Sequence, residues 1–546
     1  MADNFGTFTF HQLDNEPINS FKPGSEEREL LTREITRLRG EELEIPCVIN
    51  GVKHFTGNKK KQTCPHDHQH VLGHFHCVTD ELVHEAIDGA LAAKAEWEDL
   101  PANHRAAIFA RAADLLATKY RYKMLAAVML SIGKTPHQAV IDVVAELADF
   151  WRMNAQYLLE LMKDVQPPIK KPNGWNRMTL RPLEGFTYAI SPWNFVAIAG
   201  NLPTAPAMIG NVALWKPSSA AVYPAYLIYE ILMEAGLPAG VIQFIPGISR
   251  DISAIVLPNP NLSAIHFTGS TPVFVHLWQE VAKNLPVYKT YPRLVGETGG
   301  KNFHFLAPDF SMETTVNHTI RGAFEYSGQK CSATSRVYCP ASRADEFTEL
   351  MVKIMEEHVT HGPVEDFSVF TSSVIDENSF DKIASYIDFA KESDSCEIMA
   401  GGTYDKSTGY FVAPTFIKTT DPHCKLMAEE IFGPVVTMYT YEDDKIDETL
   451  ELCNTTSEYG LTGAIFGLDR HVVNKCCKAL KHAAGNMYIN RASTAAVVGQ
   501  QPFGGARKSG TDDKAGSPYL LLRFAAMQSI SEDFFDCQDI TYPHMK

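Results

Sequence analysis

A single thiol sits among small and polar residues in Tyr326-Ser-Gly-Gln-Lys-Cys-Ser-Ala-Thr-Ser335. The thiolate is the nucleophilic form of cysteine, and the surroundings decide whether it forms. Gly328, just upstream, permits a tight backbone turn. Downstream, Arg336-Val-Tyr-Cys-Pro340 alternates and closes on proline, which predicts a short strand. Cys331 is therefore expected on a loop at the mouth of a strand, within reach of a substrate. The plainer alternative is that it is one of eleven cysteines, and most cysteines are small buried hydrophobes. Other stretches of the chain decide between the two.

Glu297 lies in Val295-Gly-Glu-Thr-Gly-Gly-Lys301. Such a glycine-flanked turn can present a carboxylate as a general base, or leave it a solvated loop acid. Asn194 ends Ser191-Pro-Trp-Asn194, where its amide could donate to a developing oxyanion; Asn and Pro also favour ordinary turns. Lys216, in Trp215-Lys-Pro-Ser218, closes a predicted strand and could reach cofactor hydroxyls. Phe267-Thr-Gly-Ser-Thr-Pro272 ends a strand and opens a helix. There Gly269 allows close approach, Ser270 can cap, and free N–H groups favour a pyrophosphate. Turns of this kind are commonly structural, and the chain contains no G-x-G-x-x-G. A further cluster holds His66, His68, His70, His74 and His76 with Cys64 and Cys77. C-x₂-C and H-x₃₋₅-H pairs are not cleanly formed, so a polar β-hairpin fits better than a metal site, and no metal is expected.

Positioning these groups requires an α/β framework. Residues 1–24 read as extended and loose, and Ser25-Glu-Glu-Arg28 opens a capped helix. Residues 45–78 read as loop and hairpin. Helices are predicted from Thr79 and over 101–119, 121–132 and 136–163; the proline-rich stretch 165–183 reads as a hairpin arm. From Gly185 strands alternate with helices: strands over 186–190, 212–216, 241–245 and 264–268, helices over 201–210, 220–235 and from Thr271. This is a doubly wound, Rossmann-type parallel sheet, whose ligand belongs where strand C-termini meet helix N-termini. A second α/β run starts at Asn302-Phe-His-Phe-Leu306 and continues to about 500, with helices over 311–328 and 342–358.

A chain of 546 residues has room for two or three domains. Its formal net charge of −16 argues against nucleic acid and anionic membrane surfaces as partners. No apolar run is long enough to span a bilayer. The cysteines show no framework spacing and read as reduced, hence intracellular. Met1-Ala-Asp-Asn-Phe5 carries no arginine, and Asp14 and Glu16 come soon after, so no transit peptide is visible.

Six stretches occur in one order: Ser191-Pro-Trp-Asn194, Trp215-Lys-Pro-Ser218, Phe267-Thr-Gly-Ser270, Gly296-Glu-Thr-Gly-Gly300, Gly328-Gln-Lys-Cys331 and Glu429-Glu-Ile-Phe-Gly-Pro434. In that order they resemble the aldehyde dehydrogenase superfamily, from about residue 40 to 530. Gly200-Asn-Leu202, Gly300-Lys-Asn-Phe-His-Phe305, Phe324-Glu-Tyr-Ser-Gly-Gln-Lys-Cys-Ser332 and Val498-Gly-Gln-Gln-Pro-Phe-Gly-Gly-Ala-Arg507 are similar to its 1-pyrroline-5-carboxylate dehydrogenase branch.

The resemblance implies NAD-dependent oxidation of L-glutamate γ-semialdehyde to L-glutamate, in proline degradation. Cys331 would be the nucleophile, Asn194 an oxyanion donor and Glu297 the base. Ser191, Trp193, Lys216, Gly269, Ser270, Thr271, Pro272, Val273, Glu430 and Phe432 would hold NAD. Ser332, Ala495, Ala496, Phe195 and Phe503 would hold the substrate. It further implies an NAD-binding domain from 25–164 and 184–297, a catalytic domain over 298–517, and an oligomerisation arm from 165–183 and 518–540. A homodimer in the mitochondrial matrix is implied too.

Two departures stand out. Ser219 replaces an acid that many relatives place three residues after the lysine, which leaves NAD against NADP undecided. Ala495 and Ala496 replace a Gly-Ser pair that binds the substrate carboxylate in this branch, so a hydroxyl donor is lost while backbone amides remain. The rivals are an aldehyde dehydrogenase for an uncharged aldehyde, a CoA-dependent acylating enzyme, and an inactive protein kept for binding. Glu297 argues against the second; Cys331, Asn194 and Glu297 together argue against the third.

Overall fold

The structure, a computed structural model, describes residues 13–164 and 166–546. Two seven-stranded sheets organise it. In the first, Arg293–Glu297, Leu262–Thr268, Phe186–Ile190, Val212–Lys216 and Ile242–Phe244 lie side by side and parallel. Cys47–Ile49 and Val52–His54 extend it antiparallel. These central strands are buried along their whole length, as expected where helices cover both faces. The register aligns Ile190 with Lys216 and Thr268 with Glu297. Four sequence-predicted site segments thus emerge at one edge, the C-terminal ends of the strands.

The second sheet runs Cys396–Ala400, Thr415–Thr419, Val435–Tyr441, Thr334–Pro340, Asn302–Leu306, Thr462–Phe466 and Asn486–Ile489. Only its first pair is antiparallel. Separate apolar clusters pack its two faces. The chain passes from the first sheet to the second between Glu297 and Asn302. The histidine-rich stretch is the hairpin Lys59–Cys64 with Asp67–His76. Among the described residues no group of three or more His, Cys, Asp or Glu side chains comes together to hold a metal ion.

Several boundaries differ from expectation. Residues 1–12 of the expected loose segment lie outside the described residues. The residues after them are tied down rather than loose: Asn15 donates to Asp149 at 2.8 Å and to the Val498 carbonyl at 2.7 Å. Glu16 bridges Arg121 and Arg152 at 2.8 and 2.7 Å. The described part of the expected hairpin arm, 166–183, forms no hairpin of its own; Gly174–Pro182 pairs antiparallel with Ala525–Asp533, more than 300 residues away in sequence. Pro518–Leu522 is not arm but core, because Leu520, Leu521 and Phe524 are buried in the apolar cluster around the first sheet. The predicted helix over 201–210 begins earlier, as Val196–Met208. The predicted helix over 311–328 stops at Phe324, since Tyr326 and Ser327 adopt left-handed φ of 53° and 52°.

The helix predicted over 136–163 is broken by a π-helical segment, Val140–Glu146. It turns Asp142 inward, where the carboxylate meets Lys134 Nζ at 2.7 Å with both side chains fully buried. Asp142 also accepts from the Val196 and Ala197 amides at 3.0 and 2.8 Å, closing the start of helix Val196–Met208. The Lys134 ammonium lies 4.0 Å from the Phe195 ring centroid and 4.6 Å from that of Tyr326. Breaking such a pair from one side strands a buried charge. Lys134→Met is therefore expected to lower stability by roughly 3–5 kcal/mol, read as a drop in the urea midpoint with unchanged slope.

Candidate active site

Asn194 comes after the strand Phe186–Ile190 and just before the helix that Asp142 closes. Its carboxamide is buried and donates one N–H to the Gln329 carbonyl at 3.1 Å. An amide nitrogen has two N–H groups, and the other has no partner among the described residues. Gln329 is two residues before Cys331, so this bond couples the asparagine to the nucleophile loop. That loop approaches through three successive left-handed residues, Tyr326, Ser327 and Gly328. A Cβ on Gly328 would sit 2.2 Å from the Gly433 carbonyl oxygen, so side chains are barred there. Tyr326 donates to the Ile132 carbonyl at 2.9 Å, and Ser327 is bound through its amide to Thr371 at 2.7 Å. Tertiary bonds thus hold a conformation that costs energy locally. Beyond the thiol, Asn302 donates to the Cys331 and Ala333 carbonyls at 2.7 and 2.8 Å.

Cys331 lines two cavities at once, of about 1020 and 310 Å³. It keeps partial exposure at this junction, yet dense surroundings push its pKa up to about 12. Burial is the main cause, then the negative charges of Glu297 and Glu430.

The larger cavity is a cleft along the strand ends. Of the cofactor residues expected from the sequence, Ser191, Trp193, Lys216, Gly269, Ser270, Val273, Glu430 and Phe432 line it, together with Asn194. Thr271 and Pro272 do not: the Thr271 hydroxyl turns to the Lys508 carbonyl, and proline has no N–H to offer. Ser270 stands at the N-cap of helix Thr271–Asn284 without a side-chain capping bond, leaving helix-start amides unclaimed by it. Lys216 is buried without an ion pair among the described residues, and burial, then Lys60, brings its pKa down to about 8. Glu430 accepts from the Gly300 amide at 2.8 Å, and burial raises its pKa. A Cβ on Gly299 would lie 2.4 Å from Glu430 Oε2; this glycine is what lets the carboxylate lie against the turn. Free helix-start amides, a buried lysine and a backbone-held glutamate suit a dinucleotide with pyrophosphate and ribose hydroxyls.

The smaller cavity lies behind the thiol. Ser332, Ala495, Ala496, Phe195 and Phe503 line it, together with Glu297. Glu297 ends its strand and accepts from the Gly505 amide at 3.0 Å. Burial raises its pKa well above the usual carboxylate value, opposed by that amide and reinforced by Asp512. The sequence left the Ala495 amide available; in the structure it bonds the Ala492 carbonyl at 3.2 Å. Sequence reasoning missed Glu146, which lines this cavity and whose pKa burial raises to about 8. It also missed Lys134, Asp142 and Arg491. A lysine just after the cap glycine Gly133 was the one available signal for the first.

Known proteins share this architecture. Residues 53–530 match the aldehyde dehydrogenase family. A mitochondrial delta-1-pyrroline-5-carboxylate dehydrogenase of Dictyostelium discoideum is 50% identical over 533 residues, covering 97% of this chain and 95% of that one. The human protein of the same name is 47% identical, covering 98% and 95%. Among solved structures, the NAD-bound delta-pyrroline-5-carboxylate dehydrogenase of Mycobacterium tuberculosis superposes with a TM-score of 0.95 at 42% identity, covering 99% and 100%. By sequence and by fold, this chain belongs to the aldehyde dehydrogenase family.

Proposed function

We propose that the chain oxidises L-glutamate γ-semialdehyde, the open form of 1-pyrroline-5-carboxylate, to L-glutamate with NAD⁺, in proline degradation. The observation that carries the reaction class is Cys331 at the meeting of two cavities, with Asn194 and Glu297 beside it. The substrate is drawn from relatives that bear that activity in their names over nearly the whole chain.

The Cys331 thiolate adds to the aldehyde carbon, giving a thiohemiacetal. Asn194 and the Cys331 amide donate to its oxyanion. NAD⁺, when bound, supplies the hydride acceptor that this chemistry needs. Loss of hydride leaves a thioester on Cys331. Glu297 then takes a proton from water, and hydroxide attack releases the acid and the thiolate. In the cleft, Lys216 and Glu430 hold ribose hydroxyls, and the turn carrying Gly269, Ser270 and Val273 holds the pyrophosphate. Ser219 lies in a 3₁₀ turn and carries no charge, so it raises no electrostatic barrier of its own to a 2′-phosphate. Phe195 and Phe503 flank the aliphatic stem of the substrate, and Ser332 and the Ala496 amide face its carboxylate. The ribbon of Gly174–Pro182 and Ala525–Asp533 exposes Trp175 and Met527, and we assign it to a homodimer contact. Several relatives are named mitochondrial; the matrix is the proposed compartment.

Two outcomes are expected. NADH formation should favour glutamate γ-semialdehyde over hexanal and vanish in Cys331→Ala; activity on hexanal alone would keep the mechanism and sink the substrate. The second concerns pH. A carboxyl of raised pKa is protonated below that value and cannot accept a proton from water. Thioester hydrolysis should therefore accelerate as pH rises from the ordinary carboxylate range through that raised value, measured by single-turnover decay of the acyl-enzyme. A flat profile would exclude Glu297 as the base.

A further inference from the structure

The smaller cavity is lined by three cations, Lys330, Arg491 and Lys514. Two of them are already engaged. Lys330 is paired with Glu325 at 3.0 Å. Lys514 meets Asp512 at 2.8 Å and the Gly485 and Gly504 carbonyls at 2.8 and 2.9 Å. Arg491 alone has no hydrogen bond or ion pair among the described residues. Four of the lining carboxylates are equally settled: Glu16 by Arg121 and Arg152, Asp149 by Asn15, Glu325 by Lys330, Asp513 by Arg523; Glu297 is held by the Gly505 amide, and Glu146 has no hydrogen bond or ion pair among the described residues. One guanidinium is left over, facing a pocket whose alanines offer no hydroxyl.

The backbone that carries Arg491 is fixed. Asn490, at φ 50°, exchanges two bonds of 2.9 Å with Gly467 through its carboxamide. Two residues beyond Arg491, Ser493 donates to the Ser332 carbonyl at 2.8 Å. The guanidinium therefore springs from a segment bonded to the neighbour of the nucleophile. A planar fork of donors suits a carboxylate better than any other side chain. A rigid anchor reduces what ordering costs on binding. Burial, then the charges of Arg321 and Arg491, holds His318 below its ordinary pKa, opposed by Glu325.

We propose that Arg491 is a specificity-determining residue that binds the α-carboxylate of the aldehyde substrate, replacing the hydroxyl that Ala495 and Ala496 lack. The inference rests on the substrate class proposed above: an aldehyde bearing a carboxylate at its far end. It assigns Arg491 no part in the chemical steps.

The test compares wild type, Arg491→Gln and Arg491→Lys on glutamate γ-semialdehyde and on hexanal, with L-glutamate as product inhibitor. For Arg491→Gln, KM for the semialdehyde and the inhibition constant of glutamate should each rise roughly tenfold or more, the range of a lost hydrogen bond to a charge. The semialdehyde kcat and both hexanal constants should stay within about twofold. Arg491→Lys should recover part of the loss. A wild type that prefers the semialdehyde, with a Gln variant that prefers it equally, overturns the proposal alone. Equal losses on both aldehydes make Arg491 a structural residue and also overturn it. A wild type without preference would remove the substrate reading and the proposal together.

Discussion

The buried pair of Lys134 and Asp142 is the constraint on which the active site depends. Each half of the catalytic geometry is fastened to it. Asp142 closes the helix that starts just after Asn194 and Phe195, while the Lys134 ammonium rests against the Phe195 and Tyr326 rings. Tyr326 opens the left-handed run that delivers Cys331. Taking two charges out of water is costly, and their attraction offsets that cost only when the remaining lone pairs and protons are satisfied. Here two backbone amides and two aromatic faces satisfy them. The arrangement fixes the distance between a donor that follows a strand of the first sheet and a thiol that precedes a strand of the second, which an oxyanion site requires.

The same density sets the chemistry. Protein packed around Cys331 and Glu297 disfavours both charged forms. A proton must leave before either can act, and the two anions repel each other. The geometry separates them in use. The thiol faces both cavities, whereas Glu297 faces only the smaller one, behind the bond to be hydrolysed. A cleft for the electron acceptor in front and a pocket for the aldehyde behind make one sulfur atom the shared wall.

Much of this is legible in the sequence. The parallel strands show as runs of apolar residues ended by Gly and Pro, and the site segments fall at their C-terminal ends because that fold admits no other edge. Cys331, Asn194 and Glu297 stand out because small, turn-forming neighbours flank them. What stays hidden depends on tertiary contact. A π-helical segment has no sequence period to read, so Asp142 and Glu146 look like ordinary residues of one long helix. The partner of Gly174–Pro182 lies at the far end of the chain, beyond any local pattern. Arg491 resembles a solvated loop cation, and only the pairing of the other two lining cations, Lys330 and Lys514, singles it out.

The central claim is that one thiol and one carboxylate perform acylation and hydrolysis in succession. Rapid mixing of Glu297→Gln with NAD⁺ and semialdehyde, with intact-protein mass spectrometry of the quenched enzyme, tests it most directly. The account predicts a burst of about one NADH per active site, then arrest, with the acyl group retained on the peptide containing Cys331. Steady turnover without a burst, or an acyl group on another residue, would contradict it.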